Sequence, residues 1–311
     1  MLERILTLGA ALALGAAVAS PAVLEAQTSM TKTRIDVDGL TFDALAAGPE
    51  DGPLVFLLHG FPQSSFEWRH QIPVLAEMGF RVLAPDQRGY SPGARPEAVD
   101  AYATPNLVAD VVGMADALGR ETFHVVGHDW GAAVAWFVGL AHPERVVSLV
   151  PISVPHPFAF ARALADPEGR QAEMSSYMDF FRSEGAEEAF LAENAAMLRG
   201  IYEGAGLTEE EIDVYVELLA QPGALTGALN WYRAMNLQGG GAAPTPISMP
   251  TTFVWSTEDR ALGREGAELT ESFVEGPYRF EVLEGVSHWV PEEAPARLNE
   301  ILREHFAPFR P

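Results

Sequence analysis

The sequence predicts a doubly wound α/β protein: a largely parallel sheet with helices on its faces and a helical insertion late in the chain. Three observations carry this. Short apolar runs rich in β-branched residues alternate with longer segments of helical period, the pattern of buried parallel strands joined by crossover helices. Between Pro155 and Pro250 the strand-like runs vanish. At 311 residues the chain has room for two domains, or for one large α/β domain with an insertion.

The first residues read as an address. Arg4 precedes an apolar run, Ile5 to Ala19, followed by Ser20 and Pro21, with Ala17, Ala19 and Ala26 offering small-residue cleavage points. This fits a secretory signal over residues 1–26 and a secreted or periplasmic mature protein with no stable membrane contact. An uncleaved anchor is the alternative, since Ile5 to Leu24 nearly spans a bilayer if Pro21 is tolerated.

From Thr33 the alternation begins. Leu54–Leu58, Arg81–Ala84, Thr122–Gly127 and Val146–Ile152 read as strands, with helical period in Leu107–Leu118 and Ala132–Ala141. Strand pattern resumes at Thr251–Trp255 and Arg279–Leu283. Between the two groups, amphipathic stretches such as Glu209–Leu219 take over, punctuated by Pro222, Gly223 and Gly239–Gly241. The expected organisation is a core over residues 33–154 and 250–311, with residues 155–249 as a helical cap above the sheet.

Composition removes several function classes. Acidic residues outnumber Lys+Arg by 43 to 20, a formal charge of −23, which disfavours nucleic acid and polybasic membrane contacts. With no cysteine there is no disulfide, thiolate metal site or Cys nucleophile. Lys32 is the only lysine, so Schiff-base chemistry within the folded body is excluded too. His124 and His128 are four apart, but no further ligand lies near them in sequence, and no metal or other cofactor is expected.

Gly127-His128-Asp129-Trp130-Gly131 closes one expected strand and opens a helix, the setting of a sharp turn that exposes a nucleophile. Aspartate in that position has a chemical meaning. Displacement at a saturated carbon by a serine leaves an ether that water does not readily cleave. A carboxylate leaves an ester, whose carbonyl a second step can hydrolyse.

With its partners, this segment resembles the α/β-hydrolase-fold epoxide hydrolases from about Thr33 to Phe306. His59-Gly60-Phe61-Pro62 is similar to that family's HGxP motif, Thr257-Glu258-Asp259 to its charge-relay turn, and Gly285-Val286-Ser287-His288-Trp289 to its catalytic-histidine loop. The resemblance implies an eight-stranded, mostly parallel sheet. It also implies Asp129 as nucleophile, His288 as base and Asp259 as its orienter, with Glu258 the fallback acid. The backbone N–H groups of Phe61 and Trp130 become the oxyanion hole, with a cis bond between Phe61 and Pro62.

An opened epoxide leaves an alkoxide that must be protonated from the lid side. Leu229-Asn230-Trp231-Tyr232-Arg233 resembles the family's NWYR segment, and Ser176 to Phe181 its other lid segment. Tyr232 and Tyr177 thereby become the proton-donating pair, with Tyr202 and Tyr215 ranked below them. Arg182 departs from the family, standing where glutamine is common. Phe61, Trp130, Tyr177, Trp231 and Tyr232 are the expected substrate-binding residues. Phe158, Phe160, Phe180, Phe181 and Trp231 suggest an apolar epoxide. Haloalkane dehalogenases share the fold but place a halide-binding Asn or Glu where this chain has Phe61. A non-catalytic binder of a small hydrophobic molecule is the alternative from another class.

Overall fold

The computed structural model describes residues 29–235 and 246–311. The expected leader over residues 1–26 and the Gly239–Gly241 turn lie outside the described residues.

Eight strands form one sheet: β1 (Thr31–Val37), β2 (Leu40–Ala47), β3 (Leu54–Leu58), β4 (Arg81–Pro85), β5 (Phe123–His128), β6 (Val146–Ile152), β7 (Thr251–Ser256) and β8 (Tyr278–Leu283). Their order is β1-β2-β4-β3-β5-β6-β7-β8, with β2 antiparallel to β1 and β4 and every other pair parallel. The hairpin β1–β2 is absent from the sequence-based expectation, which starts the strands at Leu54. Its signal is an Asp-Gly turn, with φ of 47° at Asp38 and 81° at Gly39, as a two-residue hairpin connection requires. Most of β1 faces water, so it lacks the apolar run that marks a buried strand.

Strand β3 shows why the sheet needs cover on both sides. Leu54, Phe56 and Leu58 enter one apolar cluster and Val55 and Leu57 the other, because successive side chains alternate faces. Helices Thr104–Ala117 and Trp130–Ala141 cover the first face; Ile72–Glu77 and Pro295–Phe306 cover the second.

Between β6 and β7 the described residues form six helices and no strand: Pro157–Ala165, Gln171–Met174, Tyr177–Arg182, Ala186–Ile201, Glu209–Leu219 and Ala224–Ala234. A capping box between Thr208 and Glu211 starts Glu209–Leu219. Ala186–Ile201 is broken at Ala192–Ala195, where Glu193, Asn194 and Ala195 take left-handed dihedrals. Arg233 forks onto Glu187 at 2.7 and 2.9 Å and fastens the last of these helices to the broken one.

The strand order decides where chemistry can sit. From β3 the chain moves to β4 on one side, then returns to β5 on the other, so the loops leaving β3 and β5 diverge. A crevice outside the carboxyl ends of such strands is the usual ligand site of an open α/β sheet. Leu58 pairs with Gly127, which puts His59-Gly60-Phe61 beside His128-Asp129 at that crevice.

Candidate active site

Asp129 stands at the turn between β5 and the helix Trp130–Ala141, with φ 50° and ψ −122°. That is outside the regions an L-residue ordinarily occupies. Packing imposes the turn. A Cβ on Gly127 would lie 2.2 Å from the Gly131 carbonyl oxygen, and one on Gly131 would lie 1.9 Å from that of Leu58. Gly60 is equally constrained: its Cβ would sit 2.3 Å from Asp129 Cβ and 2.5 Å from Asp129 Oδ1. The glycines therefore let the loop after β3 touch the elbow.

Asp129 is only 7% exposed. Its Oδ1 accepts the Phe61 N–H at 2.9 Å, and its Oδ2 lies 3.5 Å from His288 Nε2. His288 Nδ1 is 2.8 Å from Asp259 Oδ2. Asp259 Oδ1 accepts the N–H groups of Ala261 and Leu262 at 2.8 and 2.9 Å, which fixes the carboxylate. Asp259 is buried against His288, whereas Glu258 is exposed beside it. Trp130 opens its helix, so its N–H has no acceptor one turn back. The Phe61–Pro62 bond is cis.

Charge in the cluster is balanced between His288 and its carboxylates. Burial pushes the Asp129 carboxyl up, but the hydrogen bond and charge of His288, with His128 and the Phe61 N–H, hold it below its ordinary value. Burial pushes His288 down, yet Asp259 and Asp129 together raise it to about 10. His59, beneath the loop after β3, is lowered by burial to about 4 and stays neutral. Its Nε2 accepts the Gln87 N–H at 3.1 Å, and its ring stands edge-on to Tyr90, centroids 4.5 Å apart.

The lid contributes an aromatic wall. Tyr232 is 2% exposed and packs edge-on against Phe61, Trp130 and Phe181, with centroids 5.5, 5.2 and 5.0 Å away. Tyr177, half-buried, has its ring centroid 6.5 Å from that of Tyr232. Burial, then the charge of Asp129, holds both phenols above the ordinary tyrosine value. Arg182 Nε donates to the Tyr232 carbonyl at 3.0 Å, so this departure from the family joins the two tyrosine-bearing helices.

Other expected lining residues are placed differently. Trp231 is buried, donates its indole N–H to the Arg88 carbonyl at 2.8 Å, and meets Trp130 edge-on at 5.5 Å, forming a second layer behind the wall. Phe181 belongs to the wall, but Phe180 is 37% exposed. Phe158 packs against His156 and Phe273 at 5.8 and 6.1 Å. The amphipathic pattern of Tyr177–Arg182 could not tell which phenylalanine turns inward. The hydroxyls of Tyr202 and Tyr215 are committed elsewhere, to the Pro62 carbonyl and to Glu292.

Sequence reasoning missed a buried pair beneath the site. His128 Nδ1 meets Glu67 Oε1 at 2.5 Å, and its Nε2 meets the His288 carbonyl at 2.8 Å. Both side chains are fully buried. The position of His128 beside Asp129 was the available signal; Glu67, more than sixty positions away, carried none. Among the described residues no group of His, Cys, Asp and Glu suits a metal ion, and no helix is long and apolar enough to cross a membrane.

An aspartate at the elbow, a histidine–aspartate relay from the ends of β8 and β7, and a helical lid inserted after β6 define a class that comparison bears out. The chain belongs to the α/β hydrolase fold family, whose model matches residues 53–295. Its relatives narrow the class to the epoxide hydrolases. It is 34% identical to epoxide hydrolase A of Mycobacterium tuberculosis (strain ATCC 25618 / H37Rv), across 88% of this chain and 96% of that protein. It is 38% identical to the AB hydrolase superfamily protein YfhM of Bacillus subtilis (strain 168), across 87% and 96%. A solved epoxide hydrolase from metagenomes of hot environments matches with TM-score 0.81 at 32% identity, across 89% of this chain and 99% of its own.

Proposed function

We propose that this protein converts an apolar epoxide and water into a vicinal diol through a covalent ester on Asp129. The observation that carries this reading is the pair of lid phenols, Tyr177 and Tyr232, with ring centroids 6.5 Å apart and Tyr232 packed on the Phe61 and Trp130 that flank the buried Asp129.

Because the Phe61 N–H holds Oδ1 at 2.9 Å, Oδ2, which faces His288 Nε2 at a looser 3.5 Å, is the oxygen that attacks. It bonds to one epoxide carbon as the ring C–O bond breaks, and the ring oxygen takes a proton from Tyr177 or Tyr232. The aspartyl ester then receives water at its carbonyl carbon. His288 Nε2 removes a proton from that water, Asp259 holds the resulting imidazolium, and the N–H groups of Phe61 and Trp130 hold the oxyanion. Collapse breaks the bond between the acyl carbon and the alkyl oxygen, which takes its proton back from His288. The proton left on the regenerated carboxyl replaces the one lost by tyrosine.

His288 is a poor base in the resting site, where two carboxylates hold it charged. Ester formation removes the Asp129 charge and its hydrogen bond, which lowers the pKa of His288. The imidazolium gives its resting proton to solvent and stands as the neutral base for the water step, and it regains a proton from solvent once the Asp129 carboxylate is restored.

Phe61, Trp130 and Phe181 around the tyrosines support an apolar substrate. The leader supports export after cleavage within residues 1–26, which the N-terminal sequence of the mature protein tests. Diol and halide release from panels of epoxides and haloalkanes test the chemistry, using wild type, Tyr232→Phe and Asp129→Ala. Diol formation is expected to fall about 100-fold or more in Tyr232→Phe and to vanish in Asp129→Ala. Halide release that survives Tyr232→Phe, without diol from any epoxide, would make the enzyme a dehalogenase instead.

A further inference from the structure

The two lid tyrosines that do not face Asp129 converge on the loop that carries the Phe61 N–H. Tyr202 is buried and donates to the Pro62 carbonyl at 2.7 Å. Its ring stacks on Tyr215 at 5.4 Å and 20°. Tyr215 donates to Glu292 Oε1, which also accepts Gln63 Nε2 at 3.1 Å. Glu292, its side chain fully buried, pairs through Oε2 with Arg69 at 2.7 Å, and Arg69 holds Glu211 of the lid at 2.8 Å. The Gln63 N–H closes a turn onto the Gly60 carbonyl at 3.0 Å, with Phe61 inside that turn. The lid thus grips the loop directly at Pro62 and, through Glu292 of the core, indirectly at Gln63.

We propose that Tyr202 and Glu292 are positioning residues for the oxyanion hole, so that docking of the lid sets the rate of ester hydrolysis and not that of ester formation. The inference rests on the Asp129 ester mechanism proposed above. Its asymmetry follows from the charge on Oδ1. In the resting carboxylate that oxygen carries about half a negative charge, in the ester only a carbonyl dipole, and in the tetrahedral intermediate nearly a full charge. A well-aimed Phe61 N–H therefore lowers the barrier from ester to tetrahedral intermediate. It gives no help in going from carboxylate to ester. Tyr202→Phe keeps the ring stack but leaves the buried Pro62 carbonyl unpaired, freeing the loop to shift.

The test is steady-state and single-turnover kinetics of wild type, Tyr202→Phe and Glu292→Gln on styrene oxide, with rapid-quench mass spectrometry of the intact protein. Hydrolysis of the ester is expected to slow about tenfold in Tyr202→Phe, less than for outright loss of a donor. The ester then accumulates, kcat and KM fall together, and kcat/KM, which reports ester formation, holds or rises. Glu292→Gln gives the same pattern, because it weakens the grip of Arg69 while keeping an acceptor for Tyr215. A parallel fall of kcat and kcat/KM is what general loosening of the lid produces, and it would overturn the assignment, as would unchanged hydrolysis. Failure of the mechanism itself looks different: no ester then forms in wild type or in His288→Gln.

Discussion

Replacing Asp129 by glycine and by alanine measures what the elbow costs the fold. Both variants lack the nucleophile and the carboxylate beside His288, so they lose the same chemistry and differ only at Cβ. With φ 50° and ψ −122°, alanine keeps the strain of an L-residue in a conformation open to glycine, about 1–3 kcal/mol. Glycine loses more freedom on folding, worth about 0.4–1 kcal/mol in the opposite direction. The balance favours the glycine variant by about 1–2 kcal/mol. At about 2–4 °C per kcal/mol for a large domain, its Tm should be roughly 2–8 °C higher. Thermal and urea unfolding followed by circular dichroism compare the two directly. In ordinary helix or strand alanine is the more stable residue, so an alanine variant as stable as the glycine variant would refute the claim that the elbow is strained.

Two further outcomes follow from contacts and charge. Gly60→Ala forces a methyl to within 2.3 Å of Asp129 Cβ and 2.5 Å of its Oδ1, so the loop after β3 or the Asp129 side chain must shift. It is expected to lower ester formation at least about 100-fold through displacement of the reacting carboxylate, and to lower Tm, with rapid-quench detection of the ester as the readout. Stability should fall on the alkaline side. His288 is raised from 6.5 to about 10, so the folded protein retains a proton that the unfolded chain has lost. That contribution is complete below about pH 6.5 and disappears as pH rises through about 10. Urea midpoints over this range should decline in wild type and stay flatter in His288→Gln; equal slopes would mean that His288 is not held charged.

The segments of the proposed active site were legible in the sequence because their local geometry is coded locally. Gly127 to Gly131 is an elbow wherever a strand meets a helix, and His59-Gly60-Phe61-Pro62 stands at the end of an unmistakable apolar strand. The hairpin β1–β2 was not legible, because an edge strand facing water lacks the apolar run on which strand recognition depends. The lid was harder still. Tyr177 and Tyr232 were found by resemblance, whereas the outward turn of Phe180 and the inward turn of Phe181 depend on what the short helix packs against.

Sequence alone supplied the groups proposed to react: an aspartate where displacement at saturated carbon needs a carboxylate, a histidine and an acid after later strands, and no thiol anywhere. The tertiary structure alone decided their state and setting. It put Asp259 rather than exposed Glu258 on His288, raised His288 between two carboxylates, and committed the hydroxyls of Tyr202 and Tyr215, the lower-ranked proton-donor candidates, to the Pro62 carbonyl and to Glu292. The physical reason is range. Backbone turns are fixed by neighbouring residues, while burial, charge and hydrogen-bond partners are fixed by residues such as Gln63 and Glu292, which lie 229 positions apart and share one bond.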